Sequence, residues 1–481
     1  MSELRPTCNE KKFTSLEIAE ITKGTLIGPQ DNCFFSCFVD SREVTENSLF
    51  VALAGEKSDG HLFLLDAAKN GASIFIVEKK RLPSTMENSL TSQGKALVVV
   101  EDSLLALQQL ATAHVKKFPN LIKIGITGSS GKTTTKEILF SLLSVKYNTF
   151  KTFKNLNSEI GLPLMALSIE STHQVAILEM GIDHVGEMEK LVSIFDPDYA
   201  LITSIGTAHI GRFGSQEILS NEKGKIFSRF GKKNFALVNR LDNLALKEKE
   251  KYEGTTICYG LQEVAKGKYQ VGNILMEDRG LLGWEFSVGG KGESVLFSLV
   301  GKHNILNFAG CYEIGKLLGL SEADILQGVS FVKPLFGRGV VKPFENDIIL
   351  IEDCYNANGE STLATIEFFN NLSVRRRKVL LLGSMKELGP QSKQIHSLVG
   401  EVLSSSTIDT IFLTGSETIP IFERLRSESN YKEKLYYIEE KDQLSHAISE
   451  YKRPGDLWLF KASRSLFLEE LEASLGAKKQ C

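Results

Sequence analysis

A glycine-rich segment, GITGSSGKTTTKEIL at residues 125–139, carries residue types that bind phosphate. An apolar run leads into it and an amphipathic run follows, which predicts a strand, a tight turn and the start of a helix. Such a helix start attracts anions through its backbone N–H groups, and glycine permits their close approach. We expect the lysine to reach the β/γ-phosphates and the first threonine to bind Mg²⁺. The predicted phosphate-binding residues are Gly128, Ser129, Ser130, Gly131, Lys132, Thr133 and Thr134.

The spacing of this loop differs from the common pattern G-x-x-x-x-G-K-[ST], which requires glycine at position 126. That position is Ile126, and the nearest glycines are Gly125 and Gly128. The segment is therefore a more compact type of phosphate loop, or a chance turn in a glycine-rich protein. We expect Lys132 to be an exposed charge.

Two residues that could bind a metal follow apolar runs further along the chain. Glu179 ends VAILE, and His209 lies just beyond YALITSIG. A carboxylate at the end of a buried strand is costly unless it is paired or binds a metal. Both residues are expected at the carboxyl edge of a parallel sheet, where ligands bind. Mg²⁺ prefers oxygen ligands and keeps waters, so few protein groups are needed. A structural histidine is the alternative for His209.

The elements that position these residues alternate in type along the 481 residues, a length that suits roughly three domains. We predict an α/β fold with a small α/β domain at 1–102, a central parallel-sheet domain at 103–333 and a Rossmann-like domain at 334–481. Near 255–300, WEFSVGGKGESVLFSLVG predicts antiparallel strands around a Gly-Gly turn. The other predicted strands are SLFVAL, ASIFIVE, LIKIGIT, VAILEMG, YALITSIG, FALVNR, IILIEDCYNANG, KVLLLGSM, TIFLTGS and LWLFKASRS.

The bulk composition excludes several classes of protein. The net charge of −3 argues against a dominant nucleic-acid face. No run of 18 or more apolar residues predicts a membrane span, and the N-terminus has no apolar signal core, so we expect a cytoplasmic protein. Seven scattered cysteines are typical of free thiols in a reducing compartment. A zinc site at Cys33 and Cys37 is the alternative.

Taken together, a set of ordered motifs resembles the Mur ligases of bacterial peptidoglycan synthesis. The motifs are GITGSSGKTTTKEIL, KNLNSEIGLP, ILEMG, GTAHI, GKHNILNFAGC, GRG and DCYNANGES. The compact TGSSGKT spacing is typical of that family. DSREVTENSLFVALAGEKSDGHLFLLDA, ILEMGIDHVGEM and LLLGSMKELGPQS resemble the member that adds D-alanyl-D-alanine to UDP-N-acetylmuramoyl-tripeptide. Ser384 and Ala462 depart from the commoner Asp and Gly, which affects acceptor-side details.

The resemblance implies an ATP-dependent ligase that phosphorylates a carboxylate and lets an amine attack the acyl phosphate. This reaction serves cell wall biogenesis, and through it cell shape and division. The implied cofactors are ATP and Mg²⁺ at two sites. The implied partners are the UDP-linked tripeptide and D-alanyl-D-alanine, with no nucleic acid and no membrane insertion, and we expect a monomer. Whether the third peptide residue is diaminopimelate or lysine is left open.

The resemblance also implies roles for individual residues. Lys223, in the charged helical start SNEKGKIF, is carbamylated and bridges magnesium; Lys225 is its competitor, and a solvated surface lysine is the alternative. The implied catalytic residues are Lys132, Glu179, His209 and Lys223, and the metal ligands are Thr133, Glu179, His209 and Lys223. Asn304 and Asn307 lie near the adenine, although helix capping is equally open for Asn307. Arg338 and Asp353 reach the phosphate and ribose of ATP.

The implied substrate residues come from all three domains. Ser41, Arg42 and the GEKSDGH turn resemble a uridine-diphosphate site, because arginine suits a diphosphate. The muramoyl-peptide residues are Asn155, Asn157, Ser158 and His184, with a structural role open for His184. The loop and strand-end residues of the last domain are Tyr355, Asn356, Asn358, Lys461, Ser463 and Arg464, each of which could instead be a surface polar group.

Three alternative functions are weighed against this one. A sister ligase that adds a diamino acid usually carries a D-N/D-P-R-type acceptor motif, which is absent from the sequence. Folylpolyglutamate synthase lacks a separate N-terminal uridine-nucleotide domain. A regulatory P-loop ATPase or binding module would not need the DCYNAN and KASRS loops of a closing last domain.

Overall fold

The structure is a computed structural model that describes residues 10–55, 58–428, 431 and 434–478. Cys8, Cys481, and Glu56 and Lys57 of the GEKSDGH turn lie outside the described residues. We call residues 10–102 the N-terminal unit, 103–333 the central unit and 334–478 the C-terminal unit. The limits of the three units are taken from the predicted domains, and these domain limits remain predictions.

The N-terminal unit is a five-stranded sheet with helices on its faces. The strand order is β1-β5-β4-β3-β2, in which β1 is antiparallel to β5 and the other pairs are parallel. The strands are β1 (Thr25–Ile27), β2 (Ser36–Phe38), β3 (Ser48–Val51), β4 (Ala72–Glu78) and β5 (Ala96–Val100). The helices are α1 (Ser15–Thr22), α2 (Leu64–Lys69) and α3 (Ser84–Ser92).

The central unit is built on a six-stranded, fully parallel sheet of order β11-β10-β9-β6-β8-β7. Its strands are β6 (Ile122–Thr127), β7 (Thr149–Lys151), β8 (Val175–Glu179), β9 (Tyr199–Ile202), β10 (Phe235–Asn239) and β11 (Thr255–Tyr259). Its helices are α4 (Ser103–Val115), α5 (Lys132–Leu143), α6 (Gly161–Ala166), α7 (Glu187–Phe195), α8 (Ile210–Phe213), α9 (Gln216–Gly224), α10 (Asn243–Lys249), α11 (Lys302–Leu317) and α12 (Glu322–Ser330).

A second sheet of the central unit is an antiparallel meander of order β12-β13-β14-β15-β16. Its strands are β12 (Gln262–Ala265), β13 (Lys268–Val271), β14 (Ile274–Asp278), β15 (Trp284–Val288) and β16 (Lys291–Phe297). The turn between β15 and β16 is Gly289-Gly290, and both residues have the positive φ that this turn requires. The predicted Gly-Gly hairpin is confirmed.

The C-terminal unit is a six-stranded sheet of order β17-β18-β22-β19-β20-β21. Its edge strand β17 is antiparallel to β18, and the remaining pairs are parallel. The strands are β17 (Val340–Pro343), β18 (Ile349–Asp353), β19 (Lys378–Gly383), β20 (Thr410–Thr414), β21 (Leu435–Tyr437) and β22 (Leu457–Lys461). The helices are α13 (Gly359–Asn371), α14 (Ser392–Ser404), α15 (Ile419–Leu425) and α16 (Lys441–Tyr451).

Apolar side chains form one core shared by the first two units, whereas the C-terminal unit has its own core clusters, which a few residues of the central unit, such as Ile210, join. One buried cluster runs from Phe13 and Ile74 of the N-terminal unit to Leu110 and Phe195 of the central unit. Two other clusters cover the two faces of the C-terminal sheet. The inner strands β19, β20 and β22 are buried along their whole length, as parallel strands between helices are.

The predicted α/β architecture is confirmed, and the predicted strand runs each contain a strand. Some runs are longer than their strands because they include the loop that follows the carboxyl end, such as SIG after β9 and CYNANG after β18, whereas ASIFIVE coincides with β4. Short edge strands, including β1, β7, β17 and β21, were not predicted from their three or four residues. Among the described residues, no helix combines the length and apolar character that crossing a membrane requires.

Candidate active site

A cleft of about 480 Å³ opens between the central and C-terminal units, at the carboxyl ends of the central strands. It brings together residues that lie more than 300 positions apart in the chain. The predicted site residues that line it are Ser129, Ser130, Gly131, Lys132, Thr133, Thr134, Asn155, Asn157, Ser158, Glu179, His209, Asn304, Asn307, Arg338, Asp353, Tyr355, Asn356, Asn358 and Lys461.

The phosphate loop connects β6 to α5, and two of its glycines are required by its shape. Gly128 has φ 148° and a Cβ there would lie 1.9 Å from Oγ1 of Thr203. Gly131 has φ 82°, and a Cβ there would lie 2.7 Å from Oδ1 of Asn307. A side chain at either position would be strained by the positive φ and would also lie too close to the neighbouring atom. The N–H of Ser129 donates to the carbonyl of Ser204 at 2.7 Å. This hydrogen bond anchors the loop to the end of β9.

The first turn of α5 has no side-chain cap. Its N–H groups therefore remain as donors at the cleft, next to the positive end of the helix dipole. Lys132 lies at the same point, and its Nζ donates to the carbonyl of Gly128 at 2.8 Å. Lys132 is partly buried, so the prediction of an exposed charge is wrong. Burial lowers the pKa of Lys132. The loop presents donors and a desolvated cation, which suits a bound anion.

Lys223 lies directly behind the loop and is 1 % exposed. Its Nζ donates to the carbonyl of Gly128 at 3.2 Å. Burial, and then the charge of Lys132, lowers its pKa well below the usual value for lysine. The residue is in the last turn of α9, so the prediction of a helical start is wrong, and so is the alternative of a solvated surface lysine. Lys225 instead pairs with Glu222 at 2.9 Å.

Glu179 closes β8 and is 2 % exposed. One oxygen, Oε1, accepts from Nδ2 of Asn157 at 2.7 Å. The other, Oε2, has no hydrogen-bond partner and lies 4.0 Å from Nζ of Lys136. A buried carboxylate oxygen without a partner is costly, and a hard cation is the ligand that suits it. The donor set at this point therefore fits Mg²⁺.

Further metal donors are sparse in the protein itself. Across the described part of the chain, no three His, Cys, Asp or Glu side chains are close enough together to form a metal cage. Mg²⁺ commonly binds through one or two protein oxygens, several waters and substrate phosphates. Such a site needs the nucleotide to be completed.

His209 lies at the cleft wall between β9 and α8, in the left-handed conformation with φ 62°. Its Nδ1 is 2.6 Å from Oε2 of Glu387 and 3.3 Å from Oδ1 of Asp183. The contact between Nδ1 of His209 and Oε2 of Glu387 is close but lacks the alignment of a hydrogen bond. The contact with His209, and then the charge of Arg212, lowers the pKa of Glu387. Glu387 belongs to the C-terminal unit, so this cluster spans the cleft.

The C-terminal wall of the cleft holds a second cluster of charges at the ends of β18 and β22. Asp353 is 2.8 Å from Nζ of Lys461 and accepts from Oγ1 of Thr365 at 2.7 Å. Burial raises the pKa of Asp353, but the charge and hydrogen bond of Lys461 outweigh it, so the pKa is lowered. Arg338 packs on the ring of Tyr355 at 4.5 Å. These groups present one anion and two cations to the cleft.

Besides Glu387, the polar side chains of Arg338, Asn358 and Glu360 in the C-terminal unit contact the central unit directly. Arg338 donates to Oγ1 of Thr133 at 3.1 Å. Asn358 caps α13 and donates through Nδ2 to Oγ of Ser130 at 2.9 Å. The C-terminal unit therefore closes over the phosphate loop.

Glu360 makes the third contact. Its Oε2 accepts from both the backbone N–H and the hydroxyl of Thr207, each at 2.9 Å. Glu360 is in the first turn of α13, where a carboxylate also suits the helix dipole.

Asn304 and Asn307 lie on one face of α11, as their i, i+3 spacing predicts. Asn304 donates to the carbonyl of Val300 at 2.7 Å. Asn307 supports the phosphate loop under Gly131 and does not cap the helix.

The acceptor-side departures noted in the sequence have a local explanation. Ser384 is buried and donates to Oε2 of Glu417 at 2.7 Å, and Glu417 also pairs with Lys386 at 2.5 Å. Burial opposes ionisation, but these hydrogen bonds lower the pKa of Glu417 to about 2. Glu417 thus places a carboxylate beside position 384. Ala462 is buried next to Gly383.

Some predicted residues are outside the walls of the cleft. Arg42 has an 87 % exposed side chain that pairs with Asp40 at 2.6 Å. His184 is 67 % exposed beside Glu187. Arg464 pairs with Glu469 and packs on Phe336 and Phe467. The others are Ser41, whose carbonyl accepts from Asn70, Ser463, whose hydroxyl accepts from the N–H of Lys386, Gly128, which begins the loop, and Lys223, which lies behind the loop.

The sequence analysis missed several residues that line the cleft. They are Asp183, Glu187, Thr203, Ser204, Asn239, His303, Glu360, Ser361 and Thr365. Thr203, Ser204 and Asn239 end or follow strands β9 and β10, so the rule that ligands bind at carboxyl strand ends could have found them. Glu360 directly follows the predicted Asn358 loop. His303, at the start of α11, has no comparable signal in the sequence.

Three family descriptions match the chain in order. "Mur ligase family, catalytic domain" matches residues 36–115, "Mur ligase middle domain" matches 126–314, and "Mur ligase, glutamate ligase domain" matches 337–464. A curated relative from Bacillus subtilis (strain 168), UDP-N-acetylmuramoyl-tripeptide–D-alanyl-D-alanine ligase, is 33 % identical over 466 residues. The alignment covers 96 % of this chain and 98 % of the relative.

Two solved structures are similar along nearly the whole chain. MurF from Acinetobacter baumannii has a TM-score of 0.82 and 28 % identity, covering 98 % of this chain and 99 % of that one. MurF from Thermotoga maritima in complex with ADP has a TM-score of 0.74 and 28 % identity, covering 92 % and 96 %. The matched families, the full-length relative and the shared architecture agree. The chain therefore belongs to the Mur ligase family.

Proposed function

We propose that this protein joins D-alanyl-D-alanine to UDP-N-acetylmuramoyl-tripeptide, using ATP, in the synthesis of the peptidoglycan precursor. The observation that carries the proposal is the full-length similarity to the Bacillus subtilis ligase of that name. The cleft supports it, because it combines an anion-binding loop, buried cations and an orphaned carboxylate oxygen between two units that meet over the loop. Cytoplasmic location and a monomeric state stay predictions.

The proposed reaction has two steps. The terminal carboxylate of the tripeptide attacks the γ-phosphorus of ATP, the bond to the β-phosphate oxygen breaks, and ADP leaves. The neutral amine of D-alanyl-D-alanine then attacks the carbonyl carbon of the acyl phosphate. The tetrahedral intermediate loses inorganic phosphate, and the ammonium proton passes to a base or to water. The protein mainly positions the reactants and stabilises developing charge.

The residues of the cleft divide between these tasks. Lys132 and the uncapped N–H groups of α5 hold the β/γ-phosphates, and Arg338 reaches the same point from the opposite wall. Asp353 and Lys461 lie further along that wall and suit the ribose and the γ-phosphate or acceptor. Asn155, Asn157 and Ser158 line the cleft, and their assigned role is contact with the muramoyl-peptide end of the substrate.

Mg²⁺ would be held by Glu179, Thr133 and His209, and it would neutralise phosphate charge when bound. Lys223 is proposed to carry a carbamate. Carbamylation needs the neutral amine, and burial lowers the pKa of this lysine in the required direction. The carbamate would remove an uncompensated buried cation and supply two oxygens for a hard metal.

The test of the proposal is mass spectrometry of products from UDP-muramoyl-tripeptide, D-alanyl-D-alanine, ATP and Mg²⁺. We expect one new amide and one phosphate released per turnover, with no phosphate release when the dipeptide is omitted. The acceptor is tested by kcat/KM for D-alanyl-D-alanine against D-alanine, L-lysine and diaminopimelate. A dipeptide site leaves polar groups unpaired with a single amino acid, so a preference of about 10⁴-fold is expected. Preference for a diamino acid on the dipeptide-stage nucleotide would overturn the proposal.

A further inference from the structure

Glu387 lies between β19 and α14, at the point where the C-terminal unit touches the loop around His209. Its Oε2 is 2.6 Å from Nδ1 of His209, and its Oε1 is 3.6 Å from Arg212. Asp183, on the central side, is 3.3 Å from the same histidine nitrogen and 3.3 Å from Arg212. The carboxylate nearest to His209 therefore comes from the other unit.

The backbone on both sides fixes this contact. Glu387 has φ 65° and His209 has φ 62°, a region that costs free energy for residues other than glycine. The N–H of Gly211 donates to the carbonyl of Glu387 at 3.0 Å. A Cβ on Gly389 would lie 2.6 Å from Cα of Gly211, so the two backbones meet without room for a side chain. Strain of this kind persists only where surrounding contacts determine it.

An imidazole that binds a metal through one nitrogen presents an N–H at the other. A carboxylate that accepts this N–H orients the ring and makes it a better ligand. In this protein the carboxylates of Glu387 and Asp183 face Nδ1 of His209. Nε2 is therefore the nitrogen that remains for a metal, on a side chain that lines the cleft.

We propose that Glu387 is a positioning residue, which holds Nδ1 of His209 when the C-terminal unit docks and so orients Nε2 towards Mg²⁺. The inference rests on the proposed function, because His209 is assigned as a metal ligand there. Its consequence is that docking of the C-terminal unit and completion of the metal site are coupled. Without docking, His209 keeps only the more distant Asp183.

The deciding variant is Glu387→Gly, which removes the carboxylate and also relieves the positive φ. Bound Mn²⁺ is measured from the EPR signal of the free ion, with full-length protein and a non-hydrolysable ATP analogue, after subtraction of the analogue alone. We expect Mn²⁺ affinity to fall on the order of tenfold. Glu387→Gln keeps an acceptor oxygen and should retain most of the affinity.

The matched control is Asp347→Gly, which removes another acidic side chain at positive φ, 58°, in an exposed segment of the same unit. It should bind Mn²⁺ as the wild type does. Circular dichroism checks that each variant is folded. If Glu387→Gly is not folded, Glu387→Ala takes its place, because it also removes the carboxylate and should lose Mn²⁺ affinity to the same extent.

The outcomes separate the two proposals. If His209→Gln loses Mn²⁺ affinity while Glu387→Gly keeps it, the role of Glu387 is wrong and the proposed function stands. An equal loss in Asp347→Gly also overturns it. If the wild type binds no Mn²⁺ beyond that of the analogue, the proposed function itself fails.

Discussion

The central unit meets its two neighbours in different ways. Its contact with the N-terminal unit is a continuous apolar core that includes Phe13, Leu110 and Phe195. Its contact with the C-terminal unit at the cleft is made mainly by polar groups, among them Asn358 on Ser130, beside a few apolar side chains such as Ile210. Apolar burial holds two units in one arrangement, whereas polar contacts can exchange for water or ligand. The difference indicates that the reaction cleft lies at the interface that can open.

The charged groups also distinguish the two interfaces. Two desolvated lysines lie at the phosphate loop, Lys132 in the cleft wall and Lys223 behind the loop, and each donates a hydrogen bond to the carbonyl of Gly128. Desolvated cations without an anionic partner are unfavourable in the free protein. A phosphate or a carbamate provides that partner. We therefore expect the apolar interface to control stability and the polar interface to control turnover.

The largest effect is expected from Phe13→Ala. Phe13 is 4 % exposed, and its ring lies 6.5 Å from that of Phe34 and 5.9 Å from that of His114. Loss of a buried aromatic side chain costs about 3–5 kcal/mol of unfolding free energy. Denaturant titration measures the loss, and kcat per folded molecule should not change. Leu16→Ala, on the exposed side of α1, is the control and should cost less than about 0.5 kcal/mol.

Lys132→Ala should leave the fold intact and remove most turnover. It deletes a cation that serves the phosphates and that is desolvated in the free protein, so kcat should fall by about 10²–10³-fold or more without a lower Tm. Product release and circular dichroism are measured together. Lys247→Ala, an exposed lysine of α10, is the control and should behave as the wild type. Near-normal turnover in Lys132→Ala would contradict the phosphate-loop assignment.

Lys223→Ala should be impaired by about 10²-fold, because removing one group that stabilises transition-state charge has that order of effect. If a carbamate bridges the metal, acetate or formate should restore part of the activity. Stripping bicarbonate should lower the activity of the wild type. A fully active variant, with no labile mass adduct on the wild type, would exclude the carbamate.

Glu360→Ala tests the polar interface away from the phosphates. It removes both contacts to Thr207, and kcat/KM should fall by about tenfold, equivalent to about 1.4 kcal/mol. The Tm should not change by more than about 2 °C, because Glu360 is exposed. Glu367→Ala, an exposed glutamate of the same helix, is the control. A fall in Tm with unchanged kinetics would assign Glu360 to stability and remove the contrast between the interfaces.

The smallest effect concerns stability and pH at Lys223. Its folded pKa lies below the usual 10.5, so the unfolded chain binds more protons between the folded pKa and 10.5. Unfolding free energy from this group therefore rises with pH across that window. In bicarbonate-free buffer, Lys223→Met should be more stable than the wild type at neutral pH. Its Tm should rise by about 2–4 °C for each kcal/mol of unfolding free energy that the substitution gains. The gap should narrow towards pH 10, and a gap that widens would contradict the prediction.

Local patterns in the sequence were sufficient for the elements and for one wall of the cleft. The phosphate loop, Glu179 and His209 were predicted because each lies at the end of a strongly apolar strand or shortly beyond it. Edge strands such as β17 were not predicted, because three or four residues are too few to show a periodic pattern. Arg42 and Arg464 were assigned to substrate by motif resemblance; both lie outside the cleft, and their roles stay predictions.

By itself, the sequence determined the α/β class, the loop that binds phosphate and the family, because these depend on local spacing and apolar periodicity. The tertiary structure alone decided which charges are desolvated and which groups meet across the cleft. The segment SNEKGKIF predicts a surface lysine at position 223, yet Lys223 is buried and donates to the carbonyl of Gly128. Glu387 contacts His209 although 178 positions separate them, because the C-terminal unit docks on α8. Desolvation and long-range contact are properties of packing, and no local pattern encodes them.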